Sequence, residues 1–162
     1  MKMNDLIIYQ IFPLRAFTDE ETEHGILEAI DWIPHIKNIG ANAVYFSPVF
    51  ESSEHGYDTK NYCLIDHRLG TNEDFKKVCQ AFKEAEIQVI LDGVFNHVGR
   101  EFWAFEDVKE KKWDSAYKDW FCINFDGNSG YDDGFWYEGW EGHYELVKLN
   151  QDNPDVRKYL LD

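Results

Sequence analysis

Positive charge, cysteine and long apolar runs are what this sequence has least of. Sixteen Lys and Arg residues stand against 31 Asp and Glu, for a formal net charge of -15. No basic cluster offsets this locally, so phosphate backbones and anionic lipid surfaces meet a repulsive field. Nucleic acid and membranes are therefore not expected partners. Cys63, Cys79 and Cys122 are odd in number, widely spaced and without a CxxC pair, which argues against a disulfide framework or a zinc centre. The opening stretch MKMNDLIIYQIFP holds one Lys and a short apolar run, interrupted by Gln10 and closed by Pro13. It lacks the apolar region of a signal peptide, and nothing approaches the roughly 20 apolar residues of a membrane span. The expectation is a reducing, cytoplasmic setting.

What is present suits a folded domain: 162 residues, 44% apolar and 17% aromatic, enough for one core. Residues 6–12, LIIYQIF, form a near-continuous apolar run between Asn4-Asp5 and Pro13, as a strand buried on both faces would. From Gly25 to Asn38, Ile26, Leu27, Ile30, Ile33 and Ile36 recur at helical spacing before Gly40. Pro34 inside that pattern implies either a kink or a separately started second half. AVYFSPVF, residues 43–50, reads as a second strand. A loop rich in Ser, Gly and His follows. Thr71 with Asp74 three residues on then predicts a capped helix whose apolar face is Phe75, Val78, Cys79 and Phe82. IQVIL, residues 87–91, reads as a third buried strand. Strands alternating with helices are the grammar of right-handed βαβ units in a parallel sheet.

Beyond Glu101 the periodicity is lost. Trp103, Trp113, Trp120, Trp136 and Trp140, five of the six tryptophans, are interspersed with glycines. A stretch this long is best read as an inserted subdomain, with most of its tryptophans as core. Asn153, Pro154 and Asp155 then mark the start of a helix that the chain end leaves without a C-cap. A three-stranded sheet and an uncovered helix face leave edges open to self-association. The expected division is 1–100, 101–149 and 150–162, the front part of something larger.

Ligand sites of parallel α/β sheets gather at the carboxyl ends of strands. Two polar groups fall there: SSEHGYD (52–58) and DGVFNH (92–97). Tyr57 offers an aromatic platform, Asp58 and Asp92 offer acceptors, and His97 offers a switchable donor. Pyranose rings have apolar CH faces and hydroxyl rims, and such a set suits them. Taken singly, an Asp or Asn behind a strand is more often a turn or cap residue. The six histidines show no paired metal-ligand spacing. Asn96 with carboxylates of the insert is the one oxygen-ligand arrangement that suggests calcium. No GxGxxG, GxSxG or P-loop is present.

Several motifs in order carry a resemblance: YQIFP, GANAVYFSPVFES, HGYDTKNYCLID, LGTNEDFKKVCQAFKEAEIQVILDGVFNHVG and LVKLNQDNPDV. Together they resemble the α-amylase family of glycoside hydrolases, family 13, and LVKLN is similar to the form found in its neopullulanase and cyclomaltodextrinase branch. The resemblance implies an α/β fold: the first three βα units of a (β/α)8 TIM barrel, with a domain B inserted after strand three and the barrel incomplete. It implies a maltooligosaccharide or other α-glucan as ligand. Tyr57 would stack under the sugar with Asp58 nearby, His97 would bond its hydroxyls, and Asp92 would brace the catalytic centre. Asn96 matches a position that holds calcium in many members, and no cofactor is required. Asn61 stands where the family often has Asp, and His67 where it often has Pro. The family's nucleophile, acid/base and third acid would all lie beyond Asp162, so the 162 residues alone are expected to be inactive. A glycan-binding or assembly module is the competing expectation.

Overall fold

The computed structural model describes residues 5–18 and 23–161. Asn4, read as one boundary of the first strand, and Asp162 lie outside them. The chain divides into two compact units: 1–51 with 62–93, and 52–61 with 94–162. The sequence reading drew its line at 100/101 and did not assign 52–61 to the second part.

In the first unit, β1 (Ile8–Ile11) is followed by a single turn, α1 (Pro13–Ala16), by a 3-10 helix (Gly25–Trp32) and by α2 (Ile33–Asn38). The pattern over 25–38 is thus two segments. Pro34 sits in the first turn of α2, where a missing N–H leaves no intrahelical bond unmade. Next come β2 (Ala43–Phe46), β3 (Phe50–Ser52), β4 (Thr59–Ile65), α3 (Asn72–Glu84) and β5 (Gln88–Leu91), with Ser52 of β3 and residues 59–61 of β4 counted in the second unit. Three of the strands form a parallel sheet in the order β1-β2-β5, with Ile8 opposite Ala43 and Ala43 opposite Gln88.

Two strand readings need correction. Residues 43–50 are not one strand: β2 ends at Phe46 and β3 begins at Phe50, because Pro48 has no N–H to give a ladder. The segment read as a loop contains β4, which pairs with β3. Nor are all three parallel strands buried on both faces. Ala43, Val44 and Phe46 of β2 are fully buried, whereas Ile8 is 50% and Leu91 38% exposed. The outer strands β1 and β5 have a neighbour on one side only among the described residues.

Helix α3 starts as its sequence predicts. The Asp74 N–H donates to Thr71 Oγ1 at 3.2 Å and the Thr71 N–H to Asp74 Oδ2 at 3.1 Å, a capping box. Its Phe75 and Phe82 meet Phe46 edge to face, with centroids 5.9 and 5.8 Å apart, and join Ile26, Ile36, Val44 and Leu69 in the core.

The second unit contains β6 (His97–Gly99), α4 (Trp103–Lys111), β7 (Ile123–Asn124), β8 (Trp136–Tyr137), β9 (Gly139–Trp140), β10 (His143–Lys148) and α5 (Pro154–Leu161). Strands β6, β10 and β9 form an antiparallel sheet with β10 central. The Asp155 N–H donates to Asn153 Oδ1 at 2.9 Å, the cap the sequence gives α5. The core is phenylalanine and tyrosine, not tryptophan. Phe102, Phe105, Phe135 and Tyr137 are fully buried, while Trp113 is 65%, Trp136 38% and Trp140 39% exposed. Of the five tryptophans, most of which the sequence reading took as core, only Trp120 is buried. Short elements enclose a phenyl ring more readily than an indole, which is seldom fully buried.

Arg100 ties this unit together. Its guanidinium makes two hydrogen bonds to Asp133, of 2.9 and 2.8 Å, and a third to Tyr137 Oη at 2.6 Å. It also lies 3.8 Å over the Tyr131 ring. Burial pushes the Tyr137 phenol up to about 12. Burial would raise the Asp133 carboxyl, but its bonds to Arg100 and Ser129 outweigh that and hold it below its ordinary value. Among the described residues no helix is long and apolar enough to cross a membrane.

Candidate functional site

The site is built in the second unit from a loop, a strand and a hairpin. Residues 53–58 close on a single carboxylate. The Glu54 N–H donates to Asp58 Oδ2 at 2.7 Å, and the His55 and Gly56 N–H groups donate to Oδ1 at 3.1 Å each. Asp58 is only 5% exposed. A buried carboxylate needs such donors, and here they make Asp58 the residue that shapes the loop. The loop presents Tyr57, which is 37% exposed, and the Tyr57 N–H donates to His55 Nδ1 at 3.2 Å.

Strand β6 runs against this loop. A Cβ at Gly99 would fall 2.4 Å from the Asp58 carbonyl oxygen, so the approach requires glycine. Two residues earlier, His97 is 7% exposed. Its ring is hydrogen-bonded to the Tyr57 backbone, and Asn96 Nδ2 lies 3.2 Å from its Nδ1. Burial, aided by the nearby His55, lowers the His97 pKa against the opposing pull of the Tyr57 bond. The imidazole is thus neutral at neutral pH, with one nitrogen able to donate and the other to accept.

The hairpin β9-β10 supplies the third wall. Glu141 and Gly142 have φ of 49° and 88°, the two positive values of a type I′ turn. Trp140 and His143 are directly paired across it, and their rings stack with centroids 5.9 Å apart and planes at 27°. The same indole lies 5.3 Å from the His97 ring, with planes at 32°. His143 Nδ1 is 3.0 Å from Glu145 Oε1. Beside this wall a cleft of about 350 Å³ is lined by residues that include Ser53, Glu54, His55, Arg100, Tyr131 and Glu145.

Of the residues read as candidates, Tyr57, Asp58, Asn96 and His97 come together in this unit. Asp92 belongs to the first. It follows β5 directly, is half-buried, and its N–H extends the ladder to the Phe46 carbonyl at 3.0 Å. A calcium ion takes roughly six to eight oxygen ligands. Among the described residues, the only cluster of three or more acidic, His or Cys ligand atoms is Glu51, Asp66 and His67 in the first unit. Arg68 already neutralises Asp66 at 2.6 Å. Among the described residues, no such cluster of acidic, His or Cys ligand atoms includes a neighbour of Asn96. Sequence reasoning missed Trp140 and His143 as a pair. The available signal was Glu-Gly between two aromatic rings, a two-residue hairpin turn, which the irregular spacing of the insert masked.

A model of the alpha-amylase family, described as the alpha amylase catalytic domain, matches residues 10–162. A cyclomaltodextrinase from a Bacillus species is 37% identical over 187 residues, covering 98% of this chain and 32% of that protein. Neopullulanase 2 of Thermoactinomyces vulgaris is 35% identical over 181 residues, covering 98% and 31%. Among solved structures, the cyclic alpha-maltosyl-(1→6)-maltose hydrolase of Arthrobacter globiformis, in complex with maltose, matches with a TM-score of 0.86 and 38% identity. That match covers 98% of this chain and 40% of that one. The chain spans about a third of the length of the curated relatives it matches.

Proposed function

The chain belongs to the alpha-amylase family, and from that premise we propose that it supplies part of the sugar-binding wall of a retaining α-glucan hydrolase. The fold is of the α/β TIM-barrel type and the relatives are glycoside hydrolases acting on α-glucans. In this reading β1, β2 and β5 are the first three barrel strands, and the Phe-rich part of the second unit is domain B. The carrying observation is the join of Tyr57 and His97. A half-exposed phenol and a neutral imidazole are linked through the Tyr57 backbone on a loop that Asp58 holds rigid.

That pair matches the chemistry of a pyranose. The phenol face takes the CH face of the ring, and the neutral imidazole can exchange a hydrogen bond with a hydroxyl on its rim. Asp92, at the end of β5, braces the catalytic centre. Retaining hydrolysis needs two carboxyl groups about 5 to 5.5 Å apart across the scissile bond. The resemblance assigns neither of them to these residues, so the 162 residues alone bind sugar without cleaving it. No metal is needed for that binding. A cytoplasmic location is part of the same proposal, in keeping with three cysteines of which none forms a disulfide.

Retention on immobilised amylose, with elution by maltose, tests the reading. The wild-type chain is expected to be retained and to release no reducing ends from maltoheptaose. Tyr57→Ala and His97→Ala are expected to pass through. Retention unchanged in both variants would remove the pair from the site. Retention that persists in EDTA is expected; a calcium-dependent gain lost in Asn96→Ala would assign the ion to Asn96.

A further inference from the structure

We propose that Trp140 is a sugar-contact residue that determines specificity, placed by the β9-β10 hairpin to act beside His97. The inference rests on the α-glucan reading above and adds a residue that neither the motifs nor the resemblance assign. Three observations carry it.

The first is proximity. The indole centroid lies 5.3 Å from the His97 ring, with the planes at 32°, so the indole borders the imidazole that the α-glucan reading gives to the sugar. The second is presentation. Trp140 remains 39% exposed, close to the 37% of Tyr57, whereas the aromatic core of this unit, Phe102, Phe105, Phe135 and Tyr137, is fully buried. A half-exposed indole thus lies against a buried imidazole whose other link is to the backbone of the half-exposed Tyr57.

The third is rigidity. The type I′ turn fixes the strand ends, and a Cβ at Gly139 would meet the His143 carbonyl oxygen at 2.6 Å. The ladder shifts register between His143 and Val147, a bulge of the kind that re-aims a side chain. His143 stacks on the indole and is itself held by Glu145 at 3.0 Å. A packing residue would not need this framework to remain half in solvent; a rigid contact surface would, since immobilising it beforehand lowers the cost of binding.

The test measures maltotriose binding by the 162-residue chain while following the six indole N–H resonances, with Trp140 assigned by its loss in Trp140→Phe. Saturating maltotriose is expected to shift the Trp140 resonance. Trp140→Ala is expected to weaken binding about 3- to 10-fold, the worth of one aromatic contact. Trp140→Phe should recover part of the loss, with thermal unfolding unchanged in both. Binding that weakens on His97→Ala yet is the same in Trp140→Ala, with an unmoved Trp140 resonance, would overturn the inference while leaving the α-glucan reading standing. A wild-type chain that binds no maltotriose would overturn both.

Discussion

Asp74 shows how much one side chain can hold at a helix start. It is 4% exposed, accepts from Thr71 Oγ1 at 2.6 Å and Lys77 Nζ at 3.0 Å, and lies 2.8 Å from His24 Nδ1. The Thr71 hydroxyl above all, then Lys77, holds its carboxyl well below the usual range against the opposing effect of burial. A depressed carboxylate contributes stability that is complete above its unfolded pKa, about 3.9, and is lost as pH falls toward the folded value. Urea midpoints should therefore be level in Asp74's contribution from pH 7 to 5 and fall below about pH 4, with a shallower fall in Asp74→Asn. Thr71→Ala should cost about 1 kcal/mol in the same measurement. His97 is shifted in the same direction for a different reason. Burial lowers its pKa, so the folded ring stays neutral below the ordinary value of about 6.5. The wild-type affinity for sugar is expected to be level from pH 8 to about 6.5 and to fall only under more acidic conditions. Thr71, Asp74, Tyr57 and His97 were legible in the sequence because local spacing or motif marks them. Trp140 was not, because its role depends on a cross-strand neighbour and a turn rather than on its own period.

At the scale of elements, β6 and the loop it touches act as one piece. Gly99→Ala would drive a methyl into the Asp58 backbone. Overpacking of this kind costs roughly 1 to 3 kcal/mol, and the displaced loop should also weaken sugar binding, as read by denaturation and titration of the same variant. Arg100→Ala should be more costly. The side chains of Arg100 and Asp133 are 17% and 7% exposed, and removing one partner of a buried pair costs roughly 3 to 5 kcal/mol. Calorimetric unfolding would show the loss; an unchanged melting temperature would mean that the pair holds nothing. Helix α3 and the three parallel strands were legible because a capping box and apolar runs are local signals. Helix α4 and the hairpin β9-β10 were not. The buried face of α4, Ala104, Phe105 and Val108, lies among glycine- and tryptophan-rich sequence, and the hairpin strand β9 has two residues, too few for any alternation to show. The break between β2 and β3 follows from one missing N–H at Pro48, whose effect depends on where the ladder would have run.

The described residues carry exposed apolar surface at the outer strands: Ile7, just before β1, is 58% exposed, Ile8 50% and Leu91 38%. Strands with one neighbour and apolar side chains in solvent are prone to pair with another copy. Sedimentation should show concentration-dependent association, reduced in Ile8→Lys, whereas a strictly monomeric wild-type chain at high concentration would contradict self-pairing. The acidic charge of -15 opposes that association and should make it stronger at high salt. Sugar binding should behave differently, because a neutral imidazole and aromatic faces owe little to net charge. The most direct test of the account is a calorimetric titration of the 162-residue chain with maltoheptaose, alongside His97→Ala. Saturable binding by the wild-type chain, weakened at least about tenfold in the variant, is the result predicted. No binding by a folded wild-type chain, or equal binding by both, would contradict it.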